Sequence, residues 1–140
     1  MIYYKDNRFR FIELFNDETG MLIRSNVLEH GIETKQLPMM RSFPELIDIG
    51  IMGACNAGKS GLCRNAGVDC YQRGMLSHET NMSLDDYCSI IAQCRGRTFQ
   101  IALGGAGDPN KHESFAEILR ATRENRIVPN YTTSGYDLTN

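Results

Sequence analysis

The second half of the chain alternates between segments typical of strands and segments typical of helices, and this alternation constrains the fold most. Apolar runs predict strands at about residues 46–52, 98–103 and 127–132. Apolar residues at helical spacing predict helices at about 83–95 and 115–122. Strands that are joined through helices pair in parallel, with right-handed crossovers. The sequence therefore predicts an α/β fold with a three-stranded parallel sheet.

The first 45 residues have a different pattern. Apolar residues on both sides of the turn-forming residues 16–20 predict a β-hairpin between about residues 3 and 23. Residues 24–45 contain two prolines and few periodic apolar positions, which predicts a connecting segment with a short extended piece near Ile32. We therefore divide the chain into an N-terminal region, 1–45, and an α/β region, 46–140.

Composition and charge narrow the classes of protein. The chain has 140 residues, of which 41% are hydrophobic and 23% are charged, as in one ordinary globular domain. Its formal net charge of −2 gives no basic surface of the kind that nucleic-acid binding requires. The sequence contains neither an apolar run of about 18 to 20 residues nor the core of a signal peptide. We expect a cytoplasmic protein with no membrane segment.

Five cysteines then need an explanation, because disulfides are rare in the cytoplasm. Cys88 and Cys94 fall within the helix predicted at 83–95, and we expect both to be small buried residues. Cys55, Cys63 and Cys70 lie among polar residues and glycines just after the strand at 46–52. Burial in a core explains these three poorly, so we treat them as candidate metal ligands.

Three interpretations of the cysteine segment are open. The three thiols are separated by seven and six residues, far enough apart to wrap one [4Fe-4S] cluster and leave one iron without a protein ligand. The eight residues that begin at Gly53 and end at Ser60 also spell G-x-x-x-x-G-K-S, the phosphate-binding loop of enzymes that hydrolyse GTP or ATP. A zinc-binding structural module is the third, with His78 or Asp69 as the fourth ligand.

The order of elements from residue 46 onward resembles the N-terminal half of the radical S-adenosylmethionine (radical SAM) enzymes. The shared order is a strand, a three-cysteine loop, a helix, a strand, a glycine-rich acidic loop, a helix and a strand. The resemblance implies the first three βα units of a partial (β/α)6 TIM-like barrel, preceded here by the N-terminal β-hairpin region. It also implies that the cysteines bind a [4Fe-4S] cluster, although their spacing, C-x7-C-x6-C, differs from the usual C-x3-C-x2-C.

The resemblance also implies an activity. One electron from the cluster cleaves bound S-adenosylmethionine to methionine and a 5′-deoxyadenosyl radical, which abstracts hydrogen from a substrate. The substrate is unidentified, and a peptide is one candidate. The electron would come from a reductase or a flavodoxin-type protein.

Residues beyond the cysteines complete the resemblance. The family often carries Gly-Gly-Glu-Pro after its second strand, followed by a His at the start of a helix, and here Asp108, Pro109 and His112 stand in the same register. We expect His112 to be a helix-start residue and not a ligand. The last strand runs into Thr-Thr-Ser-Gly, which resembles the family's Thr-Asn-Gly. The positions that the resemblance assigns to cofactor binding are Tyr71 (adenine), Gly104, Gly105, Gly107, Asp108 and Ser134, and those assigned to metal binding are Cys55, Cys63 and Cys70.

Overall fold

The computed structural model describes residues 1–29, 32, 33, 40–74 and 76–135. Most of the middle of the predicted connecting segment, residues 30, 31 and 34–39, lies outside these ranges, as do residue 75 and the end of the chain from residue 136.

The N-terminal region forms an antiparallel sheet of β1 (Ile2–Asp6), β2 (Phe11–Phe15) and β3 (Leu22–Asn26), in that order. The predicted hairpin is confirmed as β2 and β3, since Phe15 pairs with Leu22 across the turn. The predicted start of the connecting segment at residue 24 is wrong, because β3 continues to Asn26 alongside Phe11. Two short strands, β4 (Leu28–Glu29) and β5 (Ile32–Glu33), then pair with each other.

The second half forms a parallel sheet of β6 (Leu46–Met52), β7 (Gln100–Gly105) and β8 (Val128–Tyr131), in that order. Both neighbouring pairs are parallel, which confirms the predicted pairing. β7 begins two residues later than predicted. The reason is that Thr98 and Phe99 are bound to the segment before β6, where the Phe99 N–H donates to the carbonyl of Glu45 at 2.8 Å.

The helices are α1 (Asn56–Lys59), α2 (Leu62–Asn65), α3 (Leu84–Cys94) and α4 (Phe115–Glu124), with one 3-10 turn at Pro109–Lys111. The two predicted helices correspond to α3 and α4. Ser83 begins α3 as its N-cap, because its hydroxyl accepts the N–H of Asp86 at 3.1 Å. None of these helices in the described ranges is long and apolar enough to cross a lipid bilayer.

The main core lies between one face of the parallel sheet and the two longer helices. The Tyr87 hydroxyl of α3 contacts the Thr122 hydroxyl of α4 at 2.6 Å inside this core. Side chains alternate between this core face and the opposite face along each strand, and from Asp48 onward β6 presents small or polar residues on the opposite face, as β7 does. The buried core residues are Ile49, Ile51, Met52, Tyr87, Ile91, Cys94, Ile101, Leu103, Ile118 and Ile127.

The prediction of the first three βα units of a partial (β/α)6 TIM-like barrel is wrong. The described chain is a small α/β fold with one antiparallel and one parallel three-stranded sheet and four α-helices. The interior of a closed barrel is filled by layers of bulky side chains from its strands. Here the second face of the sheet presents Asp48, Gly50, Ala102 and Gly104 instead, and that face is an open cavity.

The N-terminal sheet packs against the amino-terminal ends of the parallel strands. Phe15 stacks on Phe99 with ring centroids 4.7 Å apart, and Ile2 and Val128 join the same apolar cluster. A second link is polar, since the Asp6 carboxylate accepts the N–H of Ser42 at 2.7 Å. The carboxyl-terminal edge of the parallel sheet is therefore left for the candidate site.

Candidate functional site

A cavity of about 1110 Å³ lies at the carboxyl-terminal edge of the parallel sheet. Its walls come from the ends of β6 and β7, from the segment that follows β8, and from the cysteine-containing segment after β6. In parallel sheets this edge is where ligands bind. The predicted site residues that line it are Cys55, Cys63, Cys70, Tyr71, Gly104, Gly105, Gly107, Asp108 and Ser134. The structure thus brings every site residue named from the sequence to one cavity.

The segment 55–77, called the cysteine loop below, is fastened at its two ends. Ala54 and His78 form an isolated antiparallel bridge just outside it. The Gly53 N–H donates to the side-chain oxygen of Asn81 at 3.0 Å, and the Ser77 hydroxyl donates to the Gly53 carbonyl. A methyl group on Gly53 would overlap the carbonyl oxygen of Thr80, so the two ends approach more closely than a larger residue allows.

Cys55 is the most closely held of the three cysteines. It caps the start of α1, and its Sγ accepts the N–H of Gly58 at 3.2 Å. In iron-sulfur proteins, hydrogen bonds to the sulfurs of this kind adjust the reduction potential of the cluster. A Cβ on Gly107 would come within 2.5 Å of the Ala54 carbonyl oxygen, and one on Gly74 within 2.9 Å of the Cys55 Cβ. The two glycines therefore allow the backbone to close around this cysteine.

Cys63 lies in α2, and Cys70 follows α2 after four residues of turn and coil. Both are partly exposed, free thiols, as is Cys55. Within the described ranges, no three His, Cys, Asp or Glu side chains are grouped closely enough to hold one metal ion. The three thiols thus surround the cavity without meeting at a single point.

The donor set distinguishes two kinds of metal group. A structural zinc ion draws four ligands to one point, with sulfurs about 2.3 Å away. A [4Fe-4S] cluster binds each cysteine through a different iron, so its ligands are distributed around a larger body. Three thiols that line one cavity suit the cluster in the chemistry of their donors, and within the described ranges neither the thiols nor Asp69 and His78 are grouped around one point as zinc requires.

The glycine-rich loop after β7 lies against the end of β6. Gly105 has a φ of +119°, and a side chain there would overlap the backbone of Met52. The Ala106 N–H donates to the Met52 carbonyl at 2.7 Å. Next to these residues, a Cβ on Gly104 would meet no atom within 4 Å. The loop therefore presents bare backbone to the cavity, which allows close approach of a ligand.

Asp108 and Ser134 line the cavity and also bind each other. The Asp108 Oδ1 atom accepts the Ser134 N–H at 3.0 Å, and Oδ2 accepts the Ser134 hydroxyl at 2.5 Å. The pair joins the segment after β7 to the segment after β8.

Tyr71 lies at the rim of the cavity, with 90% of its surface exposed.

His112 is buried and has a structural role that the sequence did not reveal. Its Nδ1 accepts the N–H of Ser114 at 3.0 Å, which leaves the proton on Nε2 to donate to the Met82 carbonyl at 2.9 Å. The expectation of a helix-start residue is confirmed, because His112 lies just before α4 and both ring nitrogens bind backbone. These two hydrogen bonds of His112 connect the start of α4 to the segment that leads into α3.

The phosphate-loop pattern has a different geometry from that of a phosphate site. Such a loop leads into a long helix, with its lysine and serine at the helix start. Here Lys59 is the last residue of the one-turn helix α1, its side chain is exposed, and Ser60 is the C-cap. Gly61 then turns the chain with a φ of +77°. The backbone N–H groups that would surround a phosphate are not arranged as a helix start.

The two remaining cysteines differ from each other. Cys94 is buried, as predicted, and burial raises the pKa of its thiol. The prediction that Cys88 is buried is wrong, because it lies on the exposed side of α3. Its spacing from the apolar positions Tyr87 and Ile91 places it one residue outside the stripe that faces the core.

Three thiols, a strip of bare backbone and the Asp108–Ser134 pair therefore surround one cavity at the edge of the parallel sheet. No protein-family model, no curated protein and no solved structure matches this chain.

Proposed function

We propose that the chain binds a [4Fe-4S] cluster through Cys55, Cys63 and Cys70 and cleaves S-adenosylmethionine reductively. The observation that carries the proposal is that all three thiols line the same cavity as the glycine-rich loop and Ser134. Soft thiolates favour an iron-sulfur cluster, and three of them leave one iron open to a small molecule. When bound, the cluster supplies the electron that breaks a carbon–sulfur bond of the sulfonium.

The residues of this chain would bind and orient the two cofactors. The backbone of Gly104, Gly105 and Gly107 would contact the methionine end of S-adenosylmethionine, since no side chain obstructs its approach at Gly104. Tyr71, at the rim, would pack on the adenine. The Asp108–Ser134 pair would fix the wall between β7 and β8, which supports a constant distance between the cofactor and a substrate.

The remaining parts of the proposal concern location and partners. We propose a cytoplasmic protein, because five free cysteines suit a reducing compartment. A reductase or flavodoxin-type protein would supply electrons, and the substrate that the radical attacks is unidentified, with a peptide as one candidate.

Anaerobic reconstitution with iron and sulfide tests the proposal. We expect about four irons per chain and an EPR spectrum of the reduced protein that shifts when S-adenosylmethionine is added. Cys63→Ala should lose the cluster, whereas Cys88→Ala, which removes an exposed thiol outside the cavity, should keep it. A chain that binds no iron, but binds nucleotide with magnesium and loses that binding in Lys59→Ala, would contradict the proposal and favour the phosphate-loop interpretation.

A further inference from the structure

The floor of the cavity is the open face of the parallel sheet, and its side chains follow a simple order. Near the carboxyl ends of the strands, Gly50 is paired with Gly104, which leaves bare backbone. One step further down, Asp48 is paired with Ala102. The floor therefore has an upper layer without side chains and, below it, the carboxylate of Asp48 beside the methyl group of Ala102.

Asp48 differs from the other carboxylate in the cavity wall. Both carboxylate oxygens of Asp108 accept hydrogen bonds from Ser134. Asp48 also lines the cavity, but no hydrogen bond or ion pair joins its side chain to another described residue. A carboxylate oriented into a cavity without an internal partner is available to a ligand, and charge-assisted hydrogen bonds to a cation are the strongest that it can form.

The cavity extends from the cysteine loop along the open face of the sheet as far as Asp48. Asp48 precedes the end of β6 at Met52 by four residues, a distance of about 13 Å along a strand. The carboxylate is therefore set well below the level at which the cysteine loop begins.

We infer that Asp48 recognises a protonated amine or guanidinium group on the substrate. The inference rests on the proposed function, since it names the substrate class for the same cavity. The glycine-lined upper layer offers no side chain that would obstruct an extended cationic group on its way to Asp48. A peptide with a lysine or arginine side chain has this chemistry.

Peptide binding to the full chain tests the inference, before and after reconstitution. The probes are the tripeptide Gly-Lys-Gly with an acetylated amino terminus, so that the lysine side chain is its only amine, and the analogue with norleucine in place of lysine, which keeps the carbon chain and lacks the charge. We expect the lysine peptide to bind, and its affinity to fall about 10-fold or more for norleucine or in Asp48→Asn. Asp85→Asn, the same change on the exposed first turn of α3, should bind like the unaltered chain.

Three results would overturn the inference: no binding of the lysine peptide, equal binding of both peptides, or equal binding by Asp48→Asn. Weaker binding of S-adenosylmethionine to Asp48→Asn, with peptide binding unchanged, would overturn it as well and assign the carboxylate to the amino group of the cofactor. Because the peptide is also titrated against chain that holds no cluster, failure to assemble a cluster is distinguished from failure to bind peptide. Circular dichroism confirms that each variant is folded.

Discussion

Asp108 accepts both hydrogen-bond donors of Ser134, a residue 26 positions later in the chain. The bond crosses from the segment that follows β7 to the segment that follows β8. Asn110 and Thr133 form a second, longer contact of 3.4 Å between the same two segments. One wall of the cavity is therefore held by side chains as well as by the sheet.

Replacing Asp108 with alanine should loosen this wall. Hydrogen bonds to a charged group contribute about 1.5 to 3 kcal/mol, less where they are exposed as here, so we expect a loss of about 1 kcal/mol in the free energy of unfolding. Ser134→Ala should cost less, because the backbone N–H contact is kept. Hydrogen exchange of the Ser134 amide gives the measurement: it should accelerate in Asp108→Ala and stay slow in Ser134→Ala. Equal exchange in the two variants would show that the carboxylate does not hold this backbone.

Gly53→Ala should disrupt the base of the cysteine loop. The added methyl group would overlap the Thr80 carbonyl oxygen, and backbone cannot move aside as easily as a flexible side chain. Overpacking of this kind costs about 1 to 3 kcal/mol. The matched control is Gly104→Ala, where a methyl group meets nothing within 4 Å. Thermal unfolding should show a lower Tm for Gly53→Ala and little change for Gly104→Ala, and equal Tm values would contradict the close approach.

The carboxyl group of Asp6 should make the stability of the fold depend on acid pH. Burial opposes its ionisation, but hydrogen bonds from the N–H groups of Phe9 and Ser42 outweigh this and lower its pKa from 3.8 to about 2. Because the pKa of Asp6 is lower in the folded state than in the unfolded state, its ionised carboxylate stabilises the fold at pH values above about 4. This contribution is lost as the pH falls from about 4 to 2. Its size is about 2 kcal/mol.

Urea denaturation between pH 5 and pH 2 measures the effect of Asp6. In Asp6→Asn the fold should be less stable at pH 5, and the difference from the unaltered chain should shrink as the pH falls to 2. Asp85→Asn, in the exposed first turn of α3, provides the matched control. A constant difference across this range would mean that the carboxylate does not titrate as its contacts indicate.

Thiol labelling should separate the five cysteines into three groups. In reduced protein without metal, Cys88 should react quickly, because it is exposed, and Cys94 slowly, because burial hides it and raises the pKa of its thiol. After reconstitution, Cys55, Cys63 and Cys70 should become protected while Cys88 stays reactive. Mass spectrometry of alkylated peptides gives the rates. Reactive loop cysteines in an iron-loaded chain would show that the metal is bound elsewhere.

Local patterns in the sequence predicted the elements well and the overall architecture poorly. Alternation and helical spacing located β6, α3 and α4, because each buries one regular stripe of apolar side chains. The barrel was wrong because the curvature of a sheet depends on what fills its second face, and there Asp48 and Ala102 leave an open surface. A succession of strand, helix and strand specifies that the strands pair in parallel, but it does not specify whether the sheet closes into a barrel.

The candidate site was predictable where its residues are close in sequence. The position of the three cysteines after β6 was enough to predict that their segment lies at the end of that strand, where it lines the cavity. The Asp108–Ser134 pair and the contact from His112 to Met82 join residues 26 and 30 positions apart, and one sequence carries no signal for such pairs. Asp48 was missed as well, although a charged residue between Ile47 and Ile49 marks a strand with one polar face.

The fastening of the cysteine loop at Ala54 and His78 has a consequence for how this segment can change over evolution. Once the two ends of a flexible loop are joined, lengthening it costs only conformational entropy, about 0.6 kcal/mol for each doubling in length. Insertions in the turns between the cysteines, outside α1 and α2, would therefore cost the fold little, while the strand before and the helix after stay in place. The spacing C-x7-C-x6-C can in this way differ from the usual one without moving β6 or α3.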